Sequence, residues 1–124
     1  MKKAKTILVV FVTCVVALIL SGCEKKVKLD SLSNTYWECI VDTYNYSKIW
    51  FYSDNKGKVI LRSSSSDEET VTEVGWTCKQ SGYVSIKMFP GTKYEKEWMS
   101  GTFDGDACSL TLGKLDYKYK GKAQ

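Results

Sequence analysis

Apolar and polar side chains alternate with a period of two from Thr35 onward, and turn residues interrupt the alternation about every eight to twelve positions. In the first such run, Trp37, Cys39 and Val41 share one face. Further strands are predicted at 46–52, 58–62, 69–79, 83–89, 94–104, 108–112 and 115–120. The pattern therefore predicts an all-β domain of eight antiparallel strands.

The connections between these strands are short. Asp54-Asn55-Lys56-Gly57 predicts a tight hairpin in which Gly57 takes a positive φ. Eight short strands joined by tight turns are typical of an up-and-down barrel, whose interior is either filled by side chains or holds one small ligand.

The amino-terminal residues have a different pattern. Three lysines are followed by an apolar run over residues 7–20, too short for a transmembrane helix of about 20 apolar residues. This predicts a cleaved signal peptide over residues 1–22. Leu20, Ser21, Gly22 and Cys23 resemble the lipobox read by lipoprotein signal peptidase, in which the thiol of Cys23 receives diacylglycerol. The alternatives are an uncleaved signal anchor and a secreted protein with a free Cys23.

The remaining chain divides into a lipidated amino-terminus and tether over 23–33 and a β-barrel domain over 34–124. We expect a lipid-anchored protein of the cell envelope. Glu24, directly after the lipidated cysteine, is compatible with the outer membrane, and the periplasmic and surface sides both stay open.

Charge and composition exclude several functions. The net charge is +4, but Lys2, Lys3 and Lys5 supply three of these charges, so the mature side chains carry about +1 and do not indicate a nucleic-acid partner. The chain has no histidine, so histidine-based catalysis is excluded. We expect no enzymatic activity, cofactor or metal, and we interpret Asp67-Glu68-Glu69 as part of a solvated loop.

Three cysteines lie in the barrel domain, and their alternation places all of them on inward faces. Strand direction brings Cys78 and Cys108 to the same end, which makes them the favoured disulfide pair in an oxidising compartment. Three buried thiols without a bridge are the alternative.

The second strand carries aromatic residues on the face opposite Ile49 and Phe51. Exposed aromatic side chains indicate a contact surface, and cross-strand pairing is the competing interpretation. The candidate surface consists of Tyr44, Tyr46, Trp50 and Tyr52.

Several motifs resemble the small lipocalin-like domains of Gram-negative lipoproteins. They are Leu32, Thr35 and Trp37 at the first strand, Phe51 to Gly57 at the hairpin, then Trp76, Gly101, Leu110-Thr111-Leu112 and Tyr117-Lys118-Tyr119. Asn34-Thr35-Tyr36-Trp37 departs from the usual Gly-Thr-Trp. The resemblance implies a lipocalin-like barrel and no general catalytic residues.

A looser similarity, to membrane-bound inhibitors of c-type lysozyme, rests on Trp37-Glu38-Cys39 and on Tyr94, Trp98, Gly101 and Ala107-Cys108-Ser109-Leu110. We therefore expect a non-enzymatic binding module for a small apolar ligand or a protein partner. An inhibitor of an envelope-directed enzyme and a structural envelope accessory are the alternatives.

The lipobox interpretation makes a direct prediction for Cys23→Ser. Because each buried acyl CH₂ stabilises membrane binding by about 0.8 kcal/mol, loss of the lipid removes the anchor. We expect the variant to lose incorporation of radiolabelled fatty acid. Cys78→Ser is the matched control, and equal labelling of both variants would contradict the prediction.

Overall fold

The computed structural model describes residues 27–65 and 68–123 of the 124-residue chain. Eight strands follow one another in this part. They are β1 (Thr35–Asp42), β2 (Asn45–Phe51), β3 (Lys56–Arg62), β4 (Thr70–Cys78), β5 (Tyr83–Met88), β6 (Lys96–Asp104), β7 (Ser109–Leu112) and β8 (Leu115–Lys122). Each strand pairs antiparallel with the next, and β8 pairs with β1 to close the barrel. The predicted eight-stranded up-and-down barrel is thus confirmed.

The up-and-down order gives the barrel two distinct ends. The amino-terminal segment 27–34 and the turns β2–β3, β4–β5 and β6–β7 form one end, which we call the capped end. The connections β1–β2, β3–β4, β5–β6 and β7–β8 form the other end, which we call the rim.

Inward-facing side chains fill the barrel. Trp37, Ile49 and Phe51 are fully buried, and Phe51 meets the ring of Trp76 edge-on at 5.4 Å between centroids. Twelve hydrophobic side chains of the described residues form this core: Leu32, Trp37, Ile49, Phe51, Val59, Val74, Trp76, Val84, Ile86, Leu110, Leu112 and Tyr117. Fully burying one such side chain stabilises the fold by about 1.5–3 kcal/mol, so the packed interior is the main source of stability.

The amino-terminal segment closes the capped end. Leu32 is only 1% exposed and belongs to the core, although the sequence places it in the tether. The Leu29 N–H donates to the Gly105 carbonyl oxygen at 2.9 Å. A Cβ at position 105 would collide with the carbonyl oxygen of Leu29, so this close approach requires glycine.

The β2–β3 hairpin forms where predicted, but its positive φ lies at a different residue. Asn55 has φ 64°, a conformation that asparagine tolerates, whereas Gly57 is a buried residue within β3. A Cβ on Gly57 would collide with the Trp50 carbonyl oxygen. The prediction for Gly57 was therefore wrong, because close strand packing rather than turn geometry requires glycine there.

The alternation also fails near the end of β1. The register between β1 and β2 shifts between Ile40 and Asp42. Val41, which lies between them, is 71% exposed. A bulge inserts an unpaired residue and rotates the side chains that follow. Val41 therefore does not share the inward face of Trp37.

Predictions about residues 1–26 lie outside the described residues. They include the signal peptide, the lipobox of Leu20, Ser21, Gly22 and Cys23, and the first part of the tether. Among the described residues, no helix is long and apolar enough to cross a membrane.

The capped end gives a stability prediction. Leu32→Ala removes a buried side chain that closes the barrel, and we expect the free energy of unfolding to fall by about 2–5 kcal/mol. Val27→Ala is the matched control, because Val27 is 50% exposed, and its effect should stay within about 0.5 kcal/mol. Urea unfolding of both variants measures the difference, and equal effects would show that Leu32 is not part of the core.

Candidate functional site

The filled interior directs attention to the outside of the barrel. Depressions on the described surface include one of about 1100 Å³ beside the capped end, one of about 720 Å³ beside Tyr52 and Phe89, and a cleft of about 250 Å³ between β1 and β8. Of these, the cleft lies at an interruption of the sheet.

Trp50 belongs to a ladder on the outer wall. Its ring stacks on Tyr36 at 4.4 Å between centroids, and the Lys58 Nζ lies 4.4 Å from the Trp50 ring centroid. Both neighbours sit directly opposite Trp50 in the register of β1, β2 and β3. The Tyr36 hydroxyl also donates to Glu38. Burial, the larger cause, and this hydrogen bond both raise the pKa of Tyr36. Cross-strand pairing therefore accounts for Trp50.

The other predicted aromatic residues are dispersed. The Tyr46 hydroxyl donates to Glu69, and the Lys48 Nζ lies 5.1 Å from its ring centroid. Tyr52 lies beyond the other end of β2 and lines the depression near Phe89. Of the four predicted residues, Tyr44 is the most exposed, at 57%, and it lies in the β1–β2 turn at the rim.

The β1–β8 seam opens towards the rim. Pairing between these strands runs from Thr35↔Lys122 to Glu38↔Lys118 and stops there. On the rim side of this point, β1 continues to Asp42 and still pairs with β2. On the same side, β8 begins at Leu115 and pairs with β7. Among the described residues, the facing edges of 39–42 and 115–117 therefore have no strand partner.

A cleft occupies this interruption. Its lining consists of Glu38, Cys39, Ile40, Asp116, Lys118 and Lys120. Tyr117 and Ser47, both buried, share a hydroxyl hydrogen bond of 2.7 Å that connects β8 to β2 within the barrel. This bond holds the interior together where the strands have separated.

Electrostatics keep the cleft thiol neutral. Burial, the larger cause, and the negative charge of Asp116 both raise the pKa of the Cys39 thiol. Burial also raises the pKa of Tyr117, although the hydrogen bond with Ser47 opposes this. These raised pKa values favour the protonated, less nucleophilic form of both groups.

Exposed apolar side chains lie near the cleft, in β1, in β8 and in the β1–β2 turn. We call this group the rim patch, and it consists of Ile40 (57% exposed), Val41 (71%), Tyr44 (57%) and Leu115 (43%). Val41 and Leu115 are the chain neighbours of Ile40 and Asp116, which line the cleft. The Tyr44 ring lies beside the Arg62 guanidinium of β3, which is 5.1 Å from the ring centroid. Large apolar side chains clustered beside unpaired strand edges are typical of protein contact surfaces.

The cysteines do not form a bridge in the structure. Cys39, Cys78 and Cys108 are free thiols that pack against the core, and burial raises the pKa of Cys78. The disulfide between Cys78 and Cys108 stays a prediction for the oxidised protein. Cys78 lines the depression at the capped end, together with polar residues of the neighbouring turns.

The described residues contain no cluster of three or more acidic or cysteine side chains placed to hold a metal ion.

Comparisons of the chain with protein-family models, with curated proteins and with solved structures find no match.

The sequence identified one residue of the rim patch, Tyr44, and missed the rest. Ile40 and Val41 are adjacent apolar residues, which break a strict alternation and indicate that one of them is outside the core. The seam itself has no comparable signal, because the sequence of a strand does not specify how far its pairing extends.

The Tyr36–Trp50 ladder predicts an energetic coupling. In a double-mutant cycle of Tyr36→Ala and Trp50→Ala, we expect about 0.5–1.5 kcal/mol of interaction free energy from the stacked rings. Unfolding in urea measures all four proteins. The cycle of Tyr44→Ala with Trp50→Ala is the control and should give no coupling; a value near zero for Tyr36 and Trp50 would contradict the structural role of Trp50.

Proposed function

We propose that this chain is a lipid-anchored lipoprotein of the cell envelope whose barrel is a non-enzymatic binding module for a protein partner. The observation that carries the proposal is the rim patch beside the open β1–β8 seam. Its occupant would cover Val41 and Tyr44 and would lie along the unpaired strand edges.

Two features favour a protein over a small apolar ligand. The barrel interior is occupied by Trp37, Phe51 and the rest of the core, so a ligand would have to displace native packing. The rim patch is instead on the surface, where tyrosine and large aliphatic side chains supply contact area.

The lipid anchor is supported by the sequence alone. The lysine-rich start, the short apolar run and the Leu20-to-Cys23 motif together are compatible with export and acylation. The envelope is the compartment in which such a protein would meet its partner, and the lipocalin-like resemblance is consistent with this.

Site-specific photocrosslinking tests the proposal. A photoreactive phenylalanine analogue replaces Tyr44 in the full chain, and cells are irradiated intact. We expect one discrete adduct, and we expect Val41→Asp in the same chain to reduce it at least about tenfold, since a buried unpaired charge costs more than about 1.4 kcal/mol.

The matched control carries the same analogue at Tyr94, which is 67% exposed in the β5–β6 loop. The control should give no discrete adduct. Equal crosslinking at both positions, or an adduct at Tyr44 that Val41→Asp leaves unchanged, would refute the role of the rim patch. Circular dichroism checks that Val41→Asp is folded.

The inhibitor alternative has its own assay. If the chain inhibits lysozyme, the purified domain must reduce lysozyme activity.

A further inference from the structure

The rim patch is apolar, so two occupants fit it: the lipid bilayer and a protein. The length of the amino-terminal tether distinguishes the two occupants. We infer that the capped end of the barrel faces the membrane and that the rim patch points away from it, towards a protein partner that stands clear of the lipid. This inference rests on the proposed lipid anchor at Cys23.

The first step is the length of the tether. The chain is fixed to the barrel at Leu29, which donates its N–H to Gly105 and packs against the core. Six residue steps separate Leu29 from Cys23. Even fully extended, they span only about 20 Å, so the capped end is held within about that distance of the bilayer surface.

The second step is the height of the barrel. β4 has nine residues. At a rise of about 3.3 Å per residue and a tilt of about 35–45°, such a strand spans roughly 20 Å along the barrel axis, and the end turns add about 5 Å. An inverted barrel would hold Leu29 roughly 20–25 Å from the bilayer surface, at or beyond the full extension of the tether. That pose therefore requires a straightened tether, which loses conformational entropy.

The remaining pose lays the barrel on its side. To place the seam against lipid, this pose would bring the charged groups of Glu38, Asp116, Lys118 and Lys120 to the bilayer. Moving charges out of water is costly. The tether also leaves the capped end beside the β6–β7 turn, two strands away from the seam. The upright pose avoids both penalties.

The pose also defines where the partner lies. The rim patch stands roughly 25 Å from the capped end, beyond the reach of lipid headgroups. The partner is therefore a protein surface that approaches from the aqueous side, rather than a segment buried in the same bilayer.

Energy transfer to labelled lipid tests the pose. A fluorophore is attached through an unnatural amino acid at Asp54, in the turn of the capped end, or at Lys114, in the β7–β8 turn of the rim. Both positions are exposed. The full lipidated chain is reconstituted in vesicles of phosphatidylethanolamine and phosphatidylglycerol that carry a headgroup acceptor.

We expect about twofold greater transfer from position 54, because position 114 lies roughly 25 Å further from the lipid. Equal transfer, or greater transfer from position 114, would overturn the inference. Inserting ten glycine and serine residues between Lys26 and Val27 should reduce the difference, since a flexible linker of that length adds about 16–19 Å of reach. A difference that the insertion leaves unchanged would show that the tether does not set the pose.

Flotation separates this inference from the proposed function. Wild type should float with the vesicles, and an unlipidated chain that begins at Glu24 should not. Failure of the wild-type chain to carry lipid or to float would refute the anchor and the pose together. Flotation of the unlipidated chain would show that the barrel itself binds lipid, which overturns the pose but not the crosslinking result at Tyr44. Flotation of wild type with equal transfer from both positions would overturn the pose alone.

Discussion

The packing of Trp37 holds the rest of the structure in place. Its indole N–H donates to the Thr35 hydroxyl at 2.8 Å, and that hydroxyl donates to the Leu32 carbonyl oxygen. The Trp37 ring also meets Phe103 and Tyr119 edge-on, at 6.2 and 5.4 Å between centroids. One buried side chain thus connects the amino-terminal segment, the start of β1 and the strands that close the barrel.

The closure near Trp37 explains why the seam opens at the rim and not elsewhere. Around Trp37, β1 and β8 remain paired, although their register shifts between Tyr36 and Trp37. Beyond Glu38 the bulge at Val41 bends β1. Inside the barrel at this level, the Tyr117–Ser47 hydrogen bond connects β8 to β2. The strands can separate there without exposing the core, so a surface cleft and a stable fold coexist.

The fold was predictable because alternation is a local property of the sequence. Each strand buries one face, so inward-facing residues such as Trp37, Ile49 and Val59 belong to runs in which every second position is apolar. The site was less predictable, because it depends on where pairing stops and where a bulge forms. Gly57 shows the same limit: its small size was evident, but the reason for it, the carbonyl of Trp50, belongs to the neighbouring strand.

Aromatic content was an uncertain guide for a related reason. Trp50 and Tyr44 both lie on the outside of the barrel, and composition does not distinguish them. Trp50 is covered by Tyr36 and Lys58, its neighbours across the sheet. Tyr44 sits in a turn, beyond the end of the ladder, so most of its ring surface stays in water even though the Arg62 guanidinium lies 5.1 Å from its centroid. Position relative to the strand end determines which aromatic side chain is available for contact.

The open seam has a further consequence for how the protein behaves at high concentration. An unpaired strand edge is a template on which identical chains can add to one another, and amyloid-like growth starts from such edges. Here the edge is short, and the bulge at Val41 bends it. These features oppose the addition of identical chains to one another, although the edge itself stays exposed.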